Sequence, residues 1–266
     1  MSDDLRKFGG AIPDLYERGM APVIFAPAAV AVAARVAKLG PGRVLETACG
    51  TGQLTRRLAA SLPAGTAITA TDLSPAMLER ATTGLPEGSG VALRPADAQA
   101  LPFADASFDL VLCQFGVMFF PDRARAMREA ARVLGSGGRF LFTTWDGRET
   151  NPYAQVAADL VVEATGETGV FGLAYGMTSL DEVRVLAQEA GFTGFRAEVV
   201  RLAAPVPDLG LFAAGLLLGN PTATLLHERG LEPETLVPEL ARRLRGTLGE
   251  PATARLQMLV YEAVKP

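Results

Sequence analysis

Short β-rich runs alternate along the first two thirds of the chain with segments whose apolar residues recur every three or four positions. That is the pattern of a parallel sheet with crossover helices. An apolar helix is expected over about Ala28–Leu39, then a first strand over Arg43–Thr47, opened by the turn Gly40-Pro41-Gly42. Leu54, Leu58 and Leu62 repeat at helical spacing until Pro63-Ala64-Gly65 stops them. A second strand, Ala67–Thr71, leads into a helix over Pro75–Thr83, where the proline suits a first turn because its missing N–H costs nothing there. Val91–Arg94 reads as a short third strand. Phe108–Cys113 is almost continuously apolar, as a central strand buried on both faces should be. A helix over Asp122–Leu134 turns Met127, Ala130, Ala131 and Leu134 inward and its arginines outward. The turn Gly135-Ser136-Gly137-Gly138 then opens a fifth strand, Arg139–Thr144.

The pattern loosens over Trp145–Met177, which reads as an insertion. It resumes at Ser179, where Ser179-Leu180-Asp181-Glu182 has capping-box spacing. Phe195–Leu202 is a sixth strand, Ala203–Gly249 is helical and leucine-rich, and Ala254–Val264 closes the chain as a strand with no crossover helix after it. Leu209–Leu218 is apolar on nearly all sides, so it is buried, lines a pocket or makes a homodimer contact. One α/β domain over residues 1–266 is the economical division. It comprises an N-terminal helical segment (1–40), a core (41–145) and two helical cap insertions (146–178 and 204–250).

Composition narrows the classes. Of 266 residues, 49% are apolar and 20% charged, which excludes a mainly disordered chain. The net charge of −4 argues against a broad electropositive face for nucleic acid. The start, Met1-Ser2-Asp3-Asp4, lacks the basic-then-apolar pattern of a secretory leader. The uncharged stretch between Arg18 and Arg35 carries Pro22 and Pro27 and reads as short of the ~20 apolar residues of a membrane span. The expectation is a cytoplasmic protein without membrane partners, with Cys49 and Cys113 as free thiols.

The chemistry concentrates at strand ends. Val44 to Gly52 forms a strand running into a glycine loop and then a helix, and ligands of doubly wound sheets bind at such places. Asp72 ends the second strand 20 residues beyond Gly52, where a carboxylate can accept both hydroxyls of a ribose. Asp97 follows the third strand, where a nucleobase edge would lie. A dinucleotide fingerprint read from Gly50 and Gly52 needs Gly or Ala at 55, where Thr55 stands, and no phosphate-loop lysine pattern occurs. The acidic lining of Glu46, Asp72 and Asp97 suits a cationic, non-phosphorylated nucleoside such as S-adenosylmethionine.

The segments VLETACGTG (44–52), TDLSPAML (71–78), ADAQALPF (96–103), SFDLVLCQFGVMFFPD (107–122) and ARVLGSGGRF (131–140) resemble successive motifs of the class I S-adenosylmethionine-dependent methyltransferases. The likeness is greatest to the small-molecule branch similar to ubiquinone/menaquinone-biosynthesis enzymes. The resemblance implies a Rossmann-like, doubly wound α/β sheet of seven strands, the last antiparallel, with strands one and four adjacent and Cys49 near Cys113. It implies methyl transfer to a small-molecule acceptor, releasing S-adenosylhomocysteine, with oxygen ahead of carbon and nitrogen as target. By position, Glu46, Ala48, Cys49, Gly50 and Gly52 would surround the methionine moiety and Asp72 would hold the ribose. Leu73 and Met77 would flank the adenine, Asp97 and the Ala98 N–H would meet its edge, and the Gln114 carbonyl would face the ammonium. Many members carry glycine where Ala48 stands, and a methyl there is expected to shift the loop slightly. A cofactor-retaining cyclase or decarboxylase and a silent binding module share these motifs.

The acceptor site is expected from Asp14–Phe25, Trp145–Met177 and Val206–Leu248, with Phe115, Phe119 and Trp145 as candidate lining and a small, largely apolar acceptor. Phe120 and Met118 belong to the same cluster, which serves equally as core. No general base is identified. His227, the only histidine, and Tyr16 are the candidates, and His227 reads equally as a surface residue beside Glu228 and Arg229. No metal site is expected. The arginines, 22 of the 25 basic residues, read mostly as solvated helix faces.

Overall fold

Val44, Leu45 and Glu46 of β1 (Arg43–Glu46) are all buried, and burial on both faces of so short a strand requires a neighbour on each side. Those neighbours are β2 (Ala67–Asp72) and β4 (Phe108–Gln114), both parallel to it. In the computed structural model, which describes residues 12–168 and 171–266, β3 (Val91–Pro95), β5 (Leu134–Trp145), β6 (Thr193–Pro205) and β7 (Thr253–Val264) complete a seven-stranded sheet in the order β3-β2-β1-β4-β5-β7-β6. β7 is antiparallel to both neighbours, as the resemblance implied. The start of the expected N-terminal segment and positions 169–170 of the expected insertion lie outside the described residues.

Helix α1 (Ile12–Leu15) lies in the expected N-terminal helical segment, and α2 (Ala26–Leu39), α3 (Gln53–Ser61), α4 (Pro75–Thr83), α5 (Arg123–Val133) and α8 (Leu180–Glu189) fall close to where periodicity puts them. Between α1 and α2 the chain continues as a wide, π-type helix, Tyr16–Phe25, so that Tyr16–Leu39 is one helical run of 24 residues. This corrects the expectation drawn from Pro22 and Pro27: the run is long and apolar enough by composition to cross a membrane. Half of it is buried, with Val32 and Val36 in the protein core. The bent pair α9 (Leu209–Leu218) and α10 (Thr222–Glu228) passes the same test of length and composition. In α9, Phe212, Leu216 and Leu217 are buried, which selects the first of its three readings.

Three further expectations change. Trp145–Met177 is not loose: it contains α6 (Pro152–Thr165), with Tyr153, Ala157 and Val161 buried, and the short α7 (Gly172–Tyr175). Asn151 pins its start, donating to the Asp146, Gly147 and Gln257 carbonyls and accepting from the Gln257 N–H. The turn Gly135–Gly138 belongs to β5, because the Gly137 N–H donates to the Lys265 carbonyl and Gly138 accepts from the Lys265 N–H. Arg132 is not merely solvated: it binds Glu129 and Asp105 and donates to the Leu101 and Phe103 carbonyls, clamping the loop that follows Asp97. The remaining helix, α11 (Val237–Leu248), buries Leu240 and Leu244 and packs against α9 and α6.

Candidate functional site

Strand order reverses between β1 and β4, and the loops leaving these two strands enclose a cleft. Tyr16, Phe25, Glu46, Ala48, Cys49, Gly50, Thr51, Gln53, Leu54 and Gln114 line it. The cleft offers only about 30 Å³, with Tyr16 and Phe25 of the Tyr16–Phe25 helix over it as a roof. Glu17 holds that roof down, pairing with Arg56 at 2.8 Å and accepting from Gln53 Nε2 at 2.9 Å, while Asp14 pairs with Arg80. A larger groove of about 570 Å³ lies elsewhere, between α6 and α11. It is shallow, and its Glu163 and Arg243 already pair with each other.

The glycine loop takes left-handed backbone angles at Ala48 (φ 52°), Gly50 (55°) and Gly52 (81°). Asp72 is tied to the loop: its carboxylate accepts from the Gly50 N–H and the Ser74 N–H, both at 2.8 Å. Glu46 is 1% exposed and accepts from Thr55 Oγ1 at 2.7 Å. Burial, reinforced by the charge of Asp72, pushes its carboxyl up to about 8 against the pull of Thr55 and Arg56. Burial raises Asp72 as well, opposed by the N–H groups it accepts. Two carboxylates so placed favour a cationic partner.

The Ala48 methyl has its own accommodation. A side chain at Gly116 would stand 2.5 Å from Ala48 Cβ and 2.8 Å from Cys113 Sγ. The Ala48 methyl is thus accommodated by the absence of a side chain at Gly116, two residues beyond the end of β4. Gly116→Ala is expected to cost about 1–3 kcal/mol in urea unfolding. Ala48→Gly should recover part of that loss in the double variant. Strict additivity of the two changes would refute the pairing.

An aromatic series runs on from the cleft. Tyr16 stacks on Phe25 at 4.6 Å, Phe25 lies 6.0 Å from Phe115 and 6.2 Å from Trp145, and Phe115 stacks on Trp145 at 3.9 Å. Trp145 continues to Tyr175, whose hydroxyl donates to that of the fully buried Tyr153 at 3.0 Å. Phe115 itself sits at φ 56°, a conformation that costs a bulky residue about 1–2 kcal/mol.

Most of the sequence candidates converge. Glu46, Ala48, Cys49, Gly50, Gln114 and Tyr16 share the cleft, with Gly52 and Asp72 in contact with its loop. Leu73 and Met77 follow Asp72 into α4, and Asp97, at the next strand end, accepts from the Gln99 N–H. Phe115 and Trp145 pair as expected of a common site, whereas Phe119 is half-buried in the next turn and joins no ring pair among the described residues. Of the two readings of His227 the structure has the surface one: it is exposed at the end of α10 beside Glu232 and Glu234 and does not line the cleft. Cys49 packs with Ala70 and Leu78, Cys113 in the main core, and both are free, with burial raising each thiol. Sequence reasoning had Phe25 only as the end of an expected acceptor segment, and missed Thr51, Gln53 and the support of Glu46 by Thr55. Thr55 lies in the first turn of α3, with its hydroxyl turned back to Glu46 at the end of β1.

Three buried side-chain polar atoms lack a partner among the described residues: Thr51 Oγ1, Gln114 Oε1 and Arg123 Nε. The first two belong to residues lining this cleft, and buried polar atoms of folded proteins nearly always meet a protein group, a water or a ligand. Residues 45–142 match the family model described as a methyltransferase domain. A malonyl-[acyl-carrier protein] O-methyltransferase of Geobacter sulfurreducens is 32% identical over 219 residues, covering 80% of each chain. The chain belongs to the class I S-adenosylmethionine-dependent methyltransferases. It is also 37% identical over 190 residues to an uncharacterized protein of Mycobacterium tuberculosis, covering 65% of this chain and 67% of that one. A solved S-adenosylmethionine-dependent methyltransferase of Thermotoga maritima, described as a possible histamine N-methyltransferase, shares the fold. Its TM-score is 0.58 at 22% identity over the whole of both chains. The cofactor of this methyltransferase is therefore S-adenosylmethionine. The orphan oxygens and the two buried carboxylates fit its ammonium and hydroxyl donors.

Proposed function

We propose that this methyltransferase acts on a small, largely apolar acceptor, at oxygen before carbon or nitrogen. The observation that carries the reading is the convergence of Glu46 and two unpartnered polar atoms on one cleft, with Asp72 bonded to its glycine loop and Phe25 leading from it to a series of aromatic rings. When bound, the cofactor supplies a methyl carbon already activated by a positive sulfur, so transfer needs chiefly orientation of the acceptor. Asp72 takes the ribose hydroxyls with the oxygen capacity left by Gly50 and Ser74. Glu46 and the Gln114 carbonyl hold the ammonium, Leu73 and Met77 flank the adenine, and Asp97 with the Ala98 N–H meets its edge. A nucleoside is far larger than the roofed cleft, so the segment carrying Tyr16 and Phe25 opens for entry and closes afterwards as a lid that excludes water.

Acyl-carrier-bound malonate is the acceptor of one relative, and its methylated atom is oxygen by name. That supports oxygen here and leaves the acceptor's own chemistry to this chain's aromatic wall. The buried thiols suit a reducing cytoplasm. Isothermal titration with S-adenosylhomocysteine, with NADH as control, tests the site. Micromolar or tighter binding of the first alone is expected. Absence of binding in folded protein freed of copurified cofactor would overturn it.

A further inference from the structure

We propose that the outer edge of β6 docks a second copy of this chain, the two β6 strands pairing antiparallel about a two-fold axis at Ala197. The contact is independent of the acceptor and of the cleft.

β6 ends the sheet. Its strand neighbour is β7, and no backbone hydrogen bond joins its other edge to another segment among the described residues. The strand is long, Thr193–Pro205, and Arg196, Ala197, Glu198 and Val199 are all exposed, Val199 by 42%. An open edge is a template for another strand, and proteins that leave one bare commonly guard it with charge. Here the charges are of opposite sign and spaced to match a copy of themselves. Side chains alternate along a strand, so Arg196 and Glu198 share a face, the one on which Glu198 pairs with Arg35 of α2 at 2.7 Å. A two-fold axis normal to the sheet keeps every residue on its own face. With that axis at Ala197, Arg196 stands opposite the partner's Glu198 and Glu198 opposite the partner's Arg196. Phe195 then meets the partner's Val199 on the other face. An axis one residue to either side sets Arg196 or Glu198 against its own copy. An axis at Val199 or Val200 leaves both charges opposite apolar residues.

The two side chains are available. Arg196 joins no ion pair among the described residues, and its cross-strand neighbour Glu262 is already held by Arg139. Glu198 remains 59% exposed in its pair with Arg35, so it can take a second guanidinium. A strand of foreign sequence needs no symmetry about Ala197, which favours a copy as the occupant. The bulge between Thr193 and Arg196 shortens the regular stretch. The contact is therefore small, and association at about 10–100 µM is expected.

Sedimentation equilibrium of the full chain, from about 5 to about 500 µM, should show the mass rising from monomer toward dimer. Arg196→Glu sets acid against acid and Glu198→Arg sets base against base. Each variant alone is expected to associate at least about tenfold more weakly. Mixed in equal amounts, they should pair with each other as tightly as the unmodified chain does, two acids on one strand meeting two bases on the other. Mixing would not cure a variant damaged in its own fold. The inference is overturned if the unmodified chain stays monomeric, its edge bare or covered by its own residues. It is overturned equally if the dimer survives both variants, which places the contact elsewhere, or if the mixture stays monomeric. Where Glu198→Arg does not fold, Arg196→Glu decides through salt. Its deficit against the unmodified chain should shrink as NaCl rises from about 50 to about 500 mM, and a constant deficit overturns the charge pairing.

Discussion

Asp72→Ala is expected to weaken S-adenosylhomocysteine binding by about 1.5–3 kcal/mol, a loss of roughly tenfold to over a hundredfold. Two effects combine in it. The ribose hydroxyls lose charge-assisted bonds, and the Gly50 N–H loses the carboxylate that holds the glycine loop to the end of β2. Asp72→Asn separates them, because an amide oxygen still accepts from Gly50 while the charge is gone. An intermediate affinity for Asn is the expected result in calorimetry. Unchanged affinity in Asp72→Ala would sink the ribose assignment.

The second large effect is one of pH. Burial pushes Glu46 up to about 8 from an ordinary 4.5, so between those values the folded, ligand-free protein keeps a proton that the unfolded chain has released. Folding stability therefore falls as pH rises through that window, by at most about 1.4 kcal/mol per pH unit, and levels off above it. Asp72, also raised by burial, adds a slope of the same sign. Urea unfolding at pH 6, 7 and 8 should show the decline, and Glu46→Gln should make it shallower while stabilising the ligand-free protein at pH 8. A cationic ligand demands the ionised carboxylate, so cofactor binding releases a proton below pH 8 and tightens as pH rises toward it. Calorimetry in two buffers of different ionisation enthalpy reads that proton. A slope unaltered by Glu46→Gln would remove this residue from the linkage.

Thr55 shows how a single sequence position was half legible. Its identity excludes a dinucleotide loop, but its hydroxyl's bond to Glu46 depends on how α3 settles against β1. The same division runs through the site. Asp72 and Gly52 are readable because the spacing from a strand end to the next strand end is a local count. The roof is not, because the Phe25 ring, itself stacked on Tyr16, meets Phe115 and Trp145 from distant parts of the chain, and no periodicity records such a meeting. His227 was a candidate by chemistry alone, and packing left it on the surface.

What the chain's local order carried was the sheet, its glycine loop and the acids at the ends of three strands. Strand and helix periods, caps and left-handed loop positions are properties of neighbouring residues. Even the antiparallel β7 was legible, through the lack of a crossover helix and the family likeness. Packing alone settled the cleft's size, the raised Glu46 carboxyl, the helical content of Trp145–Met177 and the extension of β5 through Gly135–Gly138. Each of these depends on partners far along the chain: desolvation of Glu46 needs the whole roof and core around it, and β5 lengthens because Lys265 pairs with Gly137 and Gly138. Burial and long-range hydrogen bonding exist only once the elements have docked.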